Sequence, residues 1–89
     1  MSVTLDVQIV NPLGLHARPA AQLVKLASQY QSEVTLARDG MPVNAKSIMG
    51  VMMLSAEQGA TVNIAAHGPD ADAAVAAIAG LVAAGFGEM

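Results

Sequence analysis

Alternation of apolar and polar residues marks the strands of this chain, and longer stretches switch to a helical period. Val3, Leu5, Val7 and Ile9 alternate with Thr4, Asp6, Gln8 and Val10, which predicts a half-buried strand. Asn11-Pro12-Leu13-Gly14 ends it with loop residues. From about Ala17 to Tyr30 the period is helical. Arg18, Gln22, Lys25 and Gln29 form a polar stripe, and Ala20, Leu23, Val24, Ala27 and Tyr30 lie on the opposite face. Pro19 is tolerated only in the first turn, where its missing N–H is not needed, so the helix starts near His16. Val34 and Leu36 belong to the next strand, Asp39-Gly40 is a hairpin turn, and residues 41–43 are the return strand.

Ser47 is a good N-cap for a short apolar helix, Ile48-Met49-Gly50-Val51-Met52-Met53-Leu54. So short a helix cannot bury apolar residues on every side. Ile48 and some of the methionines are expected on the surface, as a partner-binding patch. Gln58-Gly59 is a turn, and residues 61–66 alternate as a strand. Pro69 suits the first position of a last helix, with Asp70 and Asp72 at its positive end. Val75, Ile78 and Val82 are its core stripe, and Gly85 and Gly87 mark a fraying end. His67 fits no motif and reads as a loop residue. The order is β-α-β-β-α-β-α, a single domain over residues 1–89.

Composition narrows the function. The absence of cysteine excludes disulfides, thiolate metal sites and thiol redox centres. Tyr30 and Phe86 are the only aromatics and the net charge is −3, which argues against nucleic acid. The N-terminus does not resemble a signal peptide, and the apolar run 73–86 is too short to span a bilayer. A soluble, cytoplasmic, monomeric protein without cofactor or metal is expected. The acids avoid residues 7–32 and 40–56, where Arg18, Lys25 and Lys46 fall. If those segments meet, they form a mildly basic, apolar face suited to an anionic group or an acidic partner.

The chemistry concentrates in Gly14-Leu15-His16-Ala17-Arg18-Pro19. A histidine stands where a loop becomes a helix. The first turn of a helix has unpaired N–H groups and a partial positive charge, both suited to a phosphate. Arg18 adds a full charge and a planar set of donors. Imidazole is nucleophilic near neutral pH without a separate base. His16 therefore reads as a phosphorylation site, with the N–H groups of Ala17 and Arg18 facing the phosphate.

Gly14-Leu15-His16-Ala17-Arg18-Pro19-Ala20-Ala21 resembles the active-site signature of the HPr family, the histidine phosphocarriers of the bacterial phosphoenolpyruvate-dependent phosphotransferase system. Asn44-Ala45-Lys46-Ser47-Ile48-Met49-Gly50-Val51-Met52 resembles that family's regulatory-serine segment. The resemblance covers nearly the whole chain. It implies an α+β fold, an open-faced β-sandwich in which a four-stranded antiparallel sheet carries three helices on one face. It implies phosphorylation of His16 at Nδ1, with Arg18 and Ala17 at the site. Enzyme I is the implied donor and a IIA domain of the sugar or nitrogen branch the implied acceptor. Ala21, Lys25, Ile48, Met49 and Met52 are the expected docking residues. Ser47 is the implied target of an HPr kinase/phosphorylase, whose phosphate would add negative charge beside Ile48, Met49 and Met52.

Two other readings follow from the same residues. A nitrogen-branch phosphocarrier is one, since Asn-x-Leu-Gly-Leu-His resembles members of both the sugar and the nitrogen branch. A binding-only regulatory module needs no phosphate, but the intact His16 and Arg18 argue against it. An enzyme with its own free substrate has little support: no carboxylate lies near His16 in sequence, and there is no metal-ligand cluster or glycine-rich nucleotide loop.

Overall fold

A computed structural model describes residues 1–88. The order of elements is β1 (Ser2–Gln8), α1 (Ala17–Ala27), β2 (Glu33–Arg38), β3 (Met41–Asn44), α2 (Ile48–Met53), β4 (Thr61–His67) and α3 (Ala71–Ala83), followed by a 3-10 turn at Gly85–Gly87. The four strands form one sheet in the order β1-β4-β2-β3, antiparallel throughout. Cross-strand register puts Val3 opposite Ala66, Leu5 opposite Ile64 and Val7 opposite Val62. On the other side of β4, Val34 meets Ala66 and Leu36 meets Ile64. These residues share the covered face of the sheet. The other face carries Thr4, Asp6 and Asn63, whose amide donates to Thr4 Oγ1 and Asp6 Oδ1.

The helices cover the apolar face. Leu23 of α1, Val51 of α2 and Ile78 of α3 are fully buried in one cluster with Leu36, Ile64 and Val62. Burial of each such side chain stabilises the fold by about 1.5–3 kcal/mol. α1 packs on both α2 and α3, so the two acid-free segments do meet in space. Asp39 and Gly40 both take positive φ, as a tight hairpin turn requires. Leu5 stays largely exposed because β1 is an edge strand that the helices cover incompletely.

Four local expectations are corrected. α1 stops at Ala27 rather than Tyr30. Its last turn tightens through Gln29 N to Leu26 O and Tyr30 N to Ala27 O, and Lys46 Nζ donates to Tyr30 O at 2.8 Å. Lys46 thus satisfies a carbonyl of the turn that follows the helix. Pro69 precedes α3, whose N-cap is Asp70. The Asp70 carboxylate does not cap its own helix; it accepts from Gln31 N at 2.9 Å, Ser32 N at 2.8 Å and the Ser32 hydroxyl, clamping the α1–β2 connection. His67 is no loop residue but the last of β4, opposite Ser2 and Glu33, with Nδ1 2.7 Å from Ser2 Oγ. The end after α3 does not fray. Gly85, Phe86 and Gly87 all take positive φ, a turn that two glycines make accessible, and Phe86 is buried in the core.

Candidate functional site

The site is built where β1 hands the chain to α1. Ile9 pairs with the 59–60 segment through its N–H to Ala60 O and its carbonyl to Gly59 N. Leu15 N then donates to Ala56 O at 2.9 Å, and Gly14 N to Asn11 O at 3.1 Å. Gly14 is required twice over. Its φ is +66°, and a Cβ there would lie 2.4 Å from Ala56 O and 2.9 Å from Glu57 Cα. The loop is therefore fastened on both sides of the turn that delivers His16.

His16 is the N-cap of α1, in extended conformation, and its carbonyl accepts from Ala20 N. The imidazole makes no capping hydrogen bond to the helix. Ala17 and Arg18 follow at the first two helical positions, both exposed, and their N–H groups lack intrahelical partners. Pro19 at the third position has no N–H to satisfy and is buried. Arg18 forms no ion pair among the described residues.

The His16 side chain is 37% exposed, less open than a freely accessible carrier residue was expected to be. The reason is Glu88. Its carboxylate oxygens lie 2.9 and 3.1 Å from His16 Nε2. Glu88 also accepts from Asn11 Nδ2 at 2.9 Å, and the same amide nitrogen donates to Gly14 O at 2.9 Å. Burial of the carboxyl favours its neutral form, but the hydrogen bonds from His16 and Asn11, with the charges of His16 and Arg18, outweigh this. The Glu88 pKa is lowered as a result. The 3-10 turn brings Glu88 there, and Gln22 Nε2 donates to Phe86 O from the side of α1.

Sequence reasoning missed both Glu88 and Asn11. A carboxylate does stand beside His16, although it is distant along the chain. The available signal was the lone aromatic Phe86 between two glycines, which marks an anchored turn rather than a loose end.

The expected docking residues lie on two helices that pack against each other. Ala21 and Lys25 are exposed on α1, and Ile48, Met49 and Met52 are exposed on α2, which packs beside it. Met49 is 73% exposed, while Val51 on the same helix is fully buried. Met53 and Leu13 are further exposed apolar residues, Leu13 on the loop that leads to His16. Ser47 caps α2, its Oγ accepting from Gly50 N at 3.1 Å. Among the described residues no cluster of His, Cys, Asp and Glu is arranged to hold a metal ion. No helix among them is long and apolar enough to cross a membrane.

A family model described as the PTS HPr component phosphorylation site matches residues 3–84. The phosphocarrier protein HPr of Cupriavidus necator is 51% identical over 83 residues, 93% of each chain. The crystal structure of HPr-C-His from Thermoanaerobacter tengcongensis superposes with a TM-score of 0.94 at 42% identity, covering 98% of each chain. The crystal structure of an HPr dimer from the same organism gives a TM-score of 0.78 at 45% identity, over 92% of this chain and 94% of that one. The open sheet with helices on one face, the two signatures in their expected places and these matches make the chain a member of the HPr family, the phosphocarriers of the phosphotransferase system.

Proposed function

We propose that His16 carries the phosphoryl group, taking it on Nδ1 from phospho-Enzyme I and passing it to a IIA domain of the sugar branch. The observation that carries this reading is an imidazole at the N-cap of α1 that does not cap, beside two exposed and unpaired N–H groups. The Nδ1 lone pair attacks phosphorus, the bond from phosphorus to the donor nitrogen breaks, and its electron pair returns to the donor. The transferred group then meets the N–H groups of Ala17 and Arg18 and the positive end of α1. Arg18 is exposed and forms no ion pair among the described residues, so its guanidinium can turn to charge developing on the phosphoryl oxygens. No separate base is needed.

Docking uses the apolar plate of Ala21, Ile48, Met49 and Met52, with Lys25 at its edge and Leu13 added. Thioethers adapt to more than one partner surface, which suits a carrier that must meet a donor and then an acceptor. Ser47 is the regulatory position. A phosphate there adds about −1.5 to −2 charge beside Ile48, Met49 and Met52, which weakens docking without touching His16. The protein acts as a single domain and as a monomer in the cytoplasm.

The test is incubation with Enzyme I and phosphoenolpyruvate, followed by intact mass. One acid-labile phosphate is expected, absent from His16→Ala. No phosphate under conditions that label a control HPr leaves a binding-only module. Met49→Glu should weaken docking to Enzyme I roughly tenfold, about 1.4 kcal/mol, without loss of folding stability.

A further inference from the structure

The Glu88 carboxylate occupies one ring nitrogen of His16, and the surroundings dictate which form of the ring it selects. An ionised carboxylate only accepts hydrogen bonds, so the nitrogen that faces it must bear the proton. Nε2 lies 2.9 and 3.1 Å from the two Glu88 oxygens. In the neutral ring this leaves the lone pair on Nδ1. The carboxylate is itself held. Asn11 is fully buried, and its Nδ2 spends one hydrogen on Glu88 Oε1 and the other on Gly14 O, both at 2.9 Å. Both of those partners are acceptors, so the amide has one sensible orientation. Among the described residues its buried Oδ1 has no partner, a cost the fold accepts to keep this arrangement. The Glu88 side chain is only 15% exposed, so water competes weakly for His16.

We propose that Glu88, clamped by Asn11, is a positioning residue that keeps the proton on His16 Nε2 and so presents Nδ1 as the phosphoryl acceptor. This rests on the reading of His16 as the carrier residue. The dyad acts twice in the cycle. When Nδ1 bonds to phosphorus with Nε2–H in place, the ring becomes cationic, and the carboxylate faces that charge. When the group moves on, the Nδ1–P bond breaks and its electron pair returns to Nδ1. The leaving group is then a neutral imidazole with its Nε2 proton undisturbed. Without the carboxylate the ring is free to turn and to exchange that proton with water. The relation is that of an orienting acid to a reactive histidine, built here from the two ends of the fold.

The experiment uses the whole protein and three variants, Glu88→Ala, Glu88→Gln and Glu88→Asp. Proton NMR of the wild type should show a slowly exchanging His16 Nε2–H, lost in Glu88→Ala. Single-turnover transfer to a IIA domain separates positioning from docking. Glu88→Gln should lower the maximal transfer rate roughly tenfold with the half-saturating IIA concentration unchanged, and Glu88→Asp should recover most of it. A change in half-saturation alone, or an Nε2–H signal that persists in Glu88→Ala, overturns the proposal. If the wild type takes no phosphate at all, the carrier reading fails with it. If it takes phosphate normally and Glu88→Gln transfers at the wild-type rate, this inference fails alone.

Discussion

The starts of two packed helices are built in opposite ways. At α2, Ser47 turns its hydroxyl inward and accepts from Gly50 N, which closes the turn. At α1, His16 occupies the same position but leaves the first amides alone and reaches instead to Glu88. A cap of the Ser47 kind contributes about 1 kcal/mol. α1 forgoes that contribution at the residue proposed to carry the phosphoryl group. A local rule is kept at Ser47 and broken at the proposed carrier residue, and that contrast separates the two starts more sharply than exposure does.

The contrast can be broken outright with His16→Ser, which makes α1 start as α2 does. It should abolish phosphate uptake while stability stays level or rises by up to about 1 kcal/mol, read by intact mass and by urea unfolding. A loss larger than that would make the imidazole a structural group. Gly14→Ala should cost roughly 2–4 kcal/mol, because positive φ and a contact with Ala56 O both stand against a side chain. An unchanged denaturation midpoint would mean that the loop relaxes freely. Ser47→Ala should lose about 1 kcal/mol and leave phosphorylation of His16 intact, which tells the two starts apart in the same assays.

The smallest effect concerns the third start. The Asp70 pKa is lowered, first by the Ser32 hydroxyl and then by the Gln31 N–H, with burial opposing and further backbone N–H groups adding. A depressed carboxylate stabilises the fold above its unfolded pKa, about 3.9, and that stability is lost as pH falls through the depressed value. Asp70→Asn should therefore be less stable than the wild type at neutral pH, with the gap closing in acid. A gap independent of pH would count against the clamp.

Alternation and turn chemistry revealed most of the frame. Val34 and Leu36 marked β2, Asp39-Gly40 the hairpin, and Ser47 the start of α2, because each of these is decided by neighbours in sequence. His16, Arg18 and Pro19 were legible for the same reason. What stayed hidden was long-range. Glu88 reaches His16 across 72 positions, and Asp70 reaches Ser32 across 38. The local pattern of Gly85-Phe86-Gly87 marks an anchored turn but does not say that the turn carries Glu88 to His16. Asn11 looked like ordinary loop punctuation because its burial depends on where Glu88 goes.

One modest contact bears on timing. Lys46 ties the turn after α1 to the approach of α2 through the Tyr30 carbonyl, so the two helices proposed to dock partners are joined in advance. A surface assembled in advance orders little on contact, so encounter is quick. A plate of a few thioethers and methyls offers little to hold a partner afterwards. For a molecule that must leave one protein to reach the next, a short residence is the useful property: the sparse plate supplies it, and the stiffness of this corner keeps the encounter quick all the same.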